Sequence, residues 1–448
     1  MPLWGSSEAR EAHVVWEVAH TENKILPTRA GIIPSKPPMF HWIGGAFYSL
    51  FDWIQPLSVA RFVSLIGSII FLLFSFRLVS LFGDTSGISI VIIMTSWLFL
   101  AQSTDAKVDM LFAGFLVGSL YFGSSLILQK LFNYKQWIAS VVLLVLAVLC
   151  KGPLAIGLIG LLLGGMIIFS RDIIKNKLTI LWLSSLILSL LIVAVVSSVW
   201  YLTAANLGGE AFISRQLLFE NLHRIIGHHK MNTQPWWFYA PSLMRTIFPW
   251  SFVALLIVFK SSLRNQFSER SRLSLILFAI GIIALSLASG KRHSYPLPLL
   301  PFLAAGIAPA VSQLVCEKKL IRLTSIILPI FITISCVGLT VKGVKKNYQG
   351  LSDNIINASS GKKITILKDE FDESLDTIMY FLRAHLSVVN KISANEESNM
   401  CLISDSDSHF DLIEKTIPDK IVLKDQNYIL TPCAVINALP RNLPESFK

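Results

Sequence analysis

Ser103-Thr104-Asp105-Ala106-Lys107-Val108-Asp109-Met110 is a short island of charge between two apolar runs, Ile88 to Gln102 and Leu111 to Leu128. Each run is nearly long enough to cross the roughly 30 Å hydrocarbon core of a bilayer, so the island lies at a membrane surface. Asp109 is followed at once by Met110, Leu111 and Phe112, which places it at the mouth of a transmembrane helix and not out in the loop. An ionisable group at that depth is costly unless it is paired or lines a wet cavity, and it marks a candidate functional site.

The same pattern extends over most of the 448 residues, which are 53% hydrophobic and 15% charged, with a mean hydropathy of +0.61. This is the composition of an all-α polytopic membrane protein. A net charge of +11 invites a nucleic-acid reading. The basic residues, however, sit in short loops between apolar runs, as topology signals and lipid contacts do, and this excludes nucleic acid as the partner. The five cysteines show no Cys-x-x-Cys or Cys/His spacing and imply no zinc site. Cys401 and Cys433 could pair if the polar tail is extracytoplasmic. No metal site is predicted; no cofactor is required, though a divalent cation could be accommodated.

Three regions follow from the hydropathy. Residues 1–58 form a first outer loop, with a short helix over Ala12–Ala19, an extended Ile32-Ile33-Pro34-Ser35-Lys36-Pro37-Pro38 segment, and an interfacial helix over Met39–Phe51. Residues 59–342 hold about ten spans, near 59–82, 88–103, 109–129, 136–150, 153–170, 178–202, 241–259, 273–289, 294–315 and 320–342. Residues 343–448 read as a small extracytoplasmic α/β domain, with strands at Lys363–Leu367, Cys401–Ser404, Lys420–Leu423 and Tyr428–Thr431 and an amphipathic helix over Glu373–Val389. Loops rich in Lys and Arg, such as Arg171 to Lys177 and Lys260 to Arg272, face the cytoplasm. The island, Lys151-Gly152, residues 203–240 and 290–293 then face outward with both termini. A polar N-terminus outside predicts one further helix before residue 1; translocation of the short segment behind the first span is the alternative.

The outer face gathers carboxylates Glu8, Asp105, Asp109 and Glu220 and cations Arg10, Lys36, Lys107, Lys151, Arg224, Lys291 and Arg292. Lys151-Gly152-Pro153 and Gly290-Lys291-Arg292-His293-Ser294-Tyr295-Pro296 are each expected to open a helix, whose positive end would add to the field. One carboxylate among interfacial cations suits transfer of a sugar from a lipid phosphate. The leaving phosphate needs cations and hydrogen-bond donors but no proton, and an acceptor hydroxyl needs a base. Interfacial Lys and Arg are also ordinary anchors, Asp109 could pair with Lys107, and Trp236-Trp237-Phe238-Tyr239 suits an interfacial belt.

The order of motifs is similar to that of the bacterial aminoarabinose lipid A transferases, within the polyprenyl-phosphate-sugar glycosyltransferases that include protein O-mannosyltransferases. The matching residues are Leu3-Trp4 with Glu8-Ala9-Arg10, Lys36-Pro37-Pro38 with Trp42, Val108-Asp109, Lys151-Gly152, Trp200-Tyr201 and Glu220-Asn221 with Arg224. They continue with Trp237-Phe238-Tyr239-Ala240-Pro241, Pro249-Trp250, and Gly290-Lys291 with Tyr295-Pro296-Leu297-Pro298. The resemblance implies a C-type glycosyltransferase fold and an inverting reaction from a polyprenyl-phosphate sugar to lipid A, another envelope glycolipid or a protein. It implies a bacterial inner-membrane location, with the active site facing the periplasm or exterior. It gives Asp109 a catalytic or donor-binding role and Lys36, Lys151 and Lys291 phosphate contacts, with Arg292 and Arg224 as further phosphate ligands. Arg10, Asp105, Glu220 and Tyr295 complete the candidates. The family's usual Asp-Glu pair in the first loop is Ser7-Glu8 here, so Glu8 or Asp109 must take the base's role, or activity is lost. The rival class is a lipid-sugar transporter or flippase, against which stand the crowding of polar groups at one end of the spans and the lack of an internal repeat.

Overall fold

The computed structural model describes residues 6–128, 132–169, 179–216, 233–260 and 267–316, scattered helical residues between 318 and 333, and residues 348–367, 373–389, 399–404, 423–424 and 428–432. Two interfacial helices, α1 (Ser6–His20) and α2 (Met39–Leu50), precede α3 (Pro56–Ser80), α4 (Ser86–Thr95), α5 (Trp97–Thr104), α6 (Val108–Leu128), α7 (Tyr134–Lys151) and α8 (Leu154–Phe169). Then come α9 (Thr179–Phe212), α10 (Tyr239–Thr246), α11 (Trp250–Phe259), α12 (Glu269–Leu287) and α13 (Leu300–Leu314).

Among the described residues six helices are long and apolar enough to cross a membrane, or up to eight if two bent pairs each count as one span. The chain is a multi-pass membrane protein. Both bent pairs replace spans expected to be straight. The expected 88–103 span breaks by 62° between α4 and α5. There Ser96 is extended, and its hydroxyl accepts from Phe99 N–H at 3.4 Å, capping the new helix. The expected 241–259 span bends by 114° at Phe248-Pro249, where proline lacks the N–H that a continuous helix needs. The expected 178–202 span runs on as helix to Phe212, within the stretch expected to be a loop, with a kink at Gly209, whose φ of 55° lies in the left-handed region. The expected 320–342 span lies for the most part outside the described residues.

α6 is the axis of the bundle, because it is apolar all round and buried along nearly its whole length. Small residues let α3 approach it backbone to backbone. A Cβ on Gly67 would stand 2.5 Å from Leu111 N, and one on Gly114 would stand 2.9 Å from Gly67 O. On the other side Ser119 Oγ donates to Ser140 O at 2.8 Å and Ser140 Oγ to Ser119 O at 2.9 Å, tying α6 to α7. The helix that carries Asp109 in its first turn is thereby fixed against α3 and α7.

The C-terminal part contains α14 (Tyr348–Ala358), β1 (Ile364–Leu367), α15 (Glu373–Leu382), β2 (Leu386–Val389), β3 (Met400–Ser404), β4 (Leu423–Lys424) and β5 (Tyr428–Pro432). The sheet order is β2-β1-β3-β5-β4, with β1 parallel to β2 and β3, and β5 antiparallel to β3 and β4. Differences from expectation include α14, where no helix is expected, and the end of α15. The amphipathic helix expected through Val389 stops at Leu382, and Leu386-Ser387-Val388-Val389 pairs with β1 instead. The β-branched pair at its end favours the sheet, and His385 N–H donating to Leu382 O at 2.7 Å makes the turn.

Candidate functional site

Asp109 and Lys151 meet where α6 begins and α7 ends. Lys151 Nζ donates to Asp109 Oδ1 at 2.5 Å, and both side chains are largely buried, at 7% and 15% exposure. The ammonium also lies 4.8 Å from the Tyr295 ring and 5.0 Å from the Phe112 ring, each contributing a cation–π contact. Lys151 ends α7; it does not open the next helix as expected. Gly152, with φ 88°, terminates α7, and α8 starts at Leu154. The C-terminal end of α7 is the negative end of its dipole, which favours a cation there. Asp109 in the first turn of α6 enjoys the complementary, positive end. The pairing of Asp109 with Lys107 that its spacing allowed does not occur: Lys107 bonds Asp105 at 2.5 Å. Burial raises the Asp105 carboxyl above its usual range, opposed by Lys107.

Glu8 is buried by a different pairing. Arg61 Nε and Nη2 donate to its two oxygens at 2.9 and 2.7 Å, and Ala106 N–H donates to Oε1 at 3.0 Å. This bidentate pair joins α1 to α3 and to the charged island. Arg10 reaches Glu11 at 3.4 Å, and Glu11 in turn accepts from buried His41 of α2 at 2.7 Å. Burial acts to raise the Glu11 carboxyl, but the bond to His41 and the charges of His41, Arg10 and Lys36 overcome it and bring it down to about 2.

Lys36, Lys151 and Tyr295 converge on one cavity of about 490 Å³. Its polar end is made by these residues with Ser35, Gln216 and Tyr201. Its apolar walls are Leu158 and Leu161 of α8 and Ala284 and Leu285 of α12. Two features of this cavity escaped the sequence. The Tyr201 hydroxyl is buried without a hydrogen-bond partner, on a residue that lines the cavity. Gln216 Nε2 donates to Pro34 O at 2.7 Å and Lys36 O at 2.9 Å, fixing the backbone that carries Lys36. Trp200-Tyr201 was visible as a motif, but the hydrogen-bonding state of its hydroxyl is a property of packing.

Lys291 and Arg292 do not line this cavity. Lys291 is buried and donates to Gln234 O at 2.8 Å, beside a backbone bridge between Thr233 and Gly290. It opens no helix: five residues separate it from the short 3₁₀ turn at Leu297–Leu299 that leads into α13. Arg292 is exposed, and its carbonyl accepts from Tyr239 OH at 3.3 Å. Next to it, His293 Nε2 accepts from Arg245 at 2.9 Å, which leaves Nδ1 to donate to Ser242 Oγ at 2.7 Å. Burial and the Arg245 charge both lower its pKa. Glu220 and Arg224 lie outside the described residues. Trp236 and Trp237 are exposed at 76% and 53%, as an interfacial belt requires. Among the described residues no cluster of His, Cys, Asp and Glu has the form of a metal site.

The chain matches ArnT from Cupriavidus metallidurans, solved with undecaprenyl phosphate bound, at a TM-score of 0.73 over 96% of this chain and 94% of that one, with 14% identity. The apo form of the same protein gives 0.69. The fold is the C-type glycosyltransferase fold. Residues 35–202 match the family described as dolichyl-phosphate-mannose-protein mannosyltransferase. An undecaprenyl phosphate-alpha-4-amino-4-deoxy-L-arabinose arabinosyl transferase of Shewanella sediminis is 24% identical over 348 residues, 76% of this chain and 61% of that protein. One from Pseudomonas aeruginosa is 33% identical over 98 residues, 21% of this chain and 17% of that protein. An uncharacterized protein of Aquifex aeolicus is 25% identical over 306 residues, 67% and 58% of the two chains. The chain resembles the polyprenyl-phosphate-sugar glycosyltransferases in fold and over part of its sequence. It spans between a sixth and three-fifths of the length of these three curated relatives.

Proposed function

We propose that this ArnT-like protein transfers a sugar, with inversion, from a polyprenyl phosphate to an envelope glycolipid of the lipid A type, on the outer face of a bacterial inner membrane. The observation that carries the reading is the cavity, two lysines and two tyrosines at a polar end that continues into apolar walls between α8 and α12. A phosphate fits the first part and a polyprenyl chain the second. Packing and redox chemistry support the location. Cys401 is disulfide-bonded, as in an oxidising compartment, and its domain packs on the helices at the Lys36 end.

In the reaction an acceptor oxygen forms a bond to the anomeric carbon while the bond from that carbon to the phosphate oxygen breaks. The electron pair leaves on the polyprenyl phosphate, where Lys36 and Lys151 stabilise it without a proton. Asp109 holds Lys151 in place and neutralises it when the site is empty. Glu8 and Asp109, the two carboxylates between which the role of base lay, are both engaged by cations. An acceptor oxygen that is already ionised, as on a phosphate ester, attacks without a base and so suits a first loop that carries Ser7. This favours donor binding for Asp109 and a scaffold role for Glu8.

The test is transfer by purified protein from a labelled polyprenyl-phosphate sugar to crude envelope acceptors, followed by separation of lipid and protein fractions. Label in glycolipid is the expected result. Label in protein would move the acceptor to the O-glycosylating branch, and movement of the intact sugar lipid across vesicles without transfer would replace the enzyme with a flippase.

A further inference from the structure

The segment that carries Lys36 is stitched between two bodies. Ile32 is buried in the core of the C-terminal domain, against Ile355, Ile364, Ile378 and Met379. Ile33, the next residue, packs the opposite way, against Leu26, Trp200 and Phe212 in the membrane bundle, and its Cδ1 closes on the face of α9 at Gly208. Adjacent side chains in an extended segment point to opposite sides, so one dipeptide can hold both surfaces. Lys36 follows three residues on, at the polar end of the cavity, with its carbonyl held by Gln216.

The stitch is braced by α1, on which the domain also rests. Glu17 accepts from Thr28 Oγ1 at 2.7 Å and from Ala30 N–H, fixing the approach to Ile32. Leu57 N–H donates to Tyr380 OH of α15 at 3.3 Å, and Arg383 lies 5.8 Å from the Trp16 ring of α1. The domain thus rests on α1 and the start of α3 while enclosing Ile32. Nothing in its own sequence has the look of a catalytic motif, yet it grips the strand that delivers a cavity lysine.

We propose that the C-terminal α/β domain is a positioning module for the donor site, setting through the Ile32-Ile33 stitch where Lys36 stands in the cavity. What Lys36 binds rests on the donor reading above; what holds Lys36 does not. Irregular backbone of this kind, with bends at Ser35, Lys36 and Pro38 and with Pro34, Pro37 and Pro38 unable to donate to any ladder, has little internal structure to hold it. Its placement therefore depends on anchors at either side.

The test uses the full chain in detergent or nanodiscs, with Ile32→Ser, Ile33→Ser and Ile32→Val. Hydrogen exchange of the peptide covering residues 30–37 is measured without any lipid, together with binding of undecaprenyl phosphate in the Lys36 and Lys36→Ala backgrounds. Ile32→Ser is expected to speed exchange at Ser35 and Lys36 and to weaken binding about tenfold, within the range of coupling energies between neighbouring residues. In the Lys36→Ala background it should weaken binding no further, because it acts through Lys36. Ile33→Ser should release the same amides while the domain's strands stay protected, and Ile32→Val should keep them protected. Unchanged exchange at 35–36 in both serine variants, or equal losses of binding with and without Lys36, would overturn the proposal. Faster exchange in a protein whose wild type binds no polyprenyl phosphate would uphold the stitch and sink the donor reading.

Discussion

Removing either member of the Asp109–Lys151 pair separates its structural from its functional weight. The two side chains are 15% and 7% exposed and 2.5 Å apart, so truncating one strands a charge in a nearly dry site. Lys151→Met should cost about 3–5 kcal/mol, the usual result of breaking a buried pair. Asp109→Asn should cost less, about 1–3 kcal/mol, because the amide oxygen still accepts from Lys151 and the ammonium borders the cavity. Replacing both, Asp109→Asn with Lys151→Met, leaves no uncompensated charge and should recover most of the loss seen in Lys151→Met alone. Transfer should not recover, since the phosphate has lost its lysine. Thermal unfolding in detergent reads the first quantity and single-turnover transfer the second. The reasoning fails if the double variant is as unstable as the sum of the singles, or if Asp109→Asn transfers at the wild-type rate.

Other consequences are independent of that pair. Tyr201→Phe removes a buried hydroxyl that lacks a partner, so melting should be unchanged or slightly higher while donor binding falls about fivefold; a loss of stability with intact binding would deny the hydroxyl a ligand role. Gly157 borders the apolar walls with nothing within 4 Å of a Cβ built on it, so Gly157→Leu should fold normally and exclude the lipid chain, raising KM with little change in kcat. Glu11, held down to about 2 from an ordinary 4.5, binds fewer protons folded than unfolded between those values. Its stabilisation is therefore complete above about pH 4.5 and lost as pH falls towards 2; melting curves from pH 6 to 3 should show the loss beginning, and Glu11→Gln should flatten that slope while lowering the plateau by roughly 3 kcal/mol.

Much of this was legible in the chain. The charged island marked the mouth of α6, because a carboxylate beside a long apolar run has few other places to stand. The ordered motifs pointed to the fold and to Lys36, Lys151 and Tyr295. What stayed hidden depended on contacts between distant segments. Asp109 could be paired with Lys107 by spacing, but α7 ends beside α6 and brings Lys151 closer, leaving Lys107 to Asp105. Glu8 could be placed in the first loop as a base, but no local pattern shows that Arg61, in the first turns of α3, reaches back to it. Lys291 carries a motif, yet its side chain turns to Gln234 because the 233–234 segment bridges back onto Gly290. The breaks at Ser96 and Phe248-Pro249 were marked by serine and proline, but hydropathy reads through such residues.

The central claim, that the donor lipid occupies the cavity between α8 and α12, is tested most directly by photocrosslinking. An undecaprenyl phosphate analogue carrying a photoreactive group in its first isoprene units would be bound to the full chain and the adducts mapped by mass spectrometry. Adducts on Leu158, Leu161 and Leu285, displaced by unlabelled lipid and lost in Lys151→Met, are the predicted result. Displaceable adducts confined to other helices, or labelling indifferent to Lys151, would contradict it.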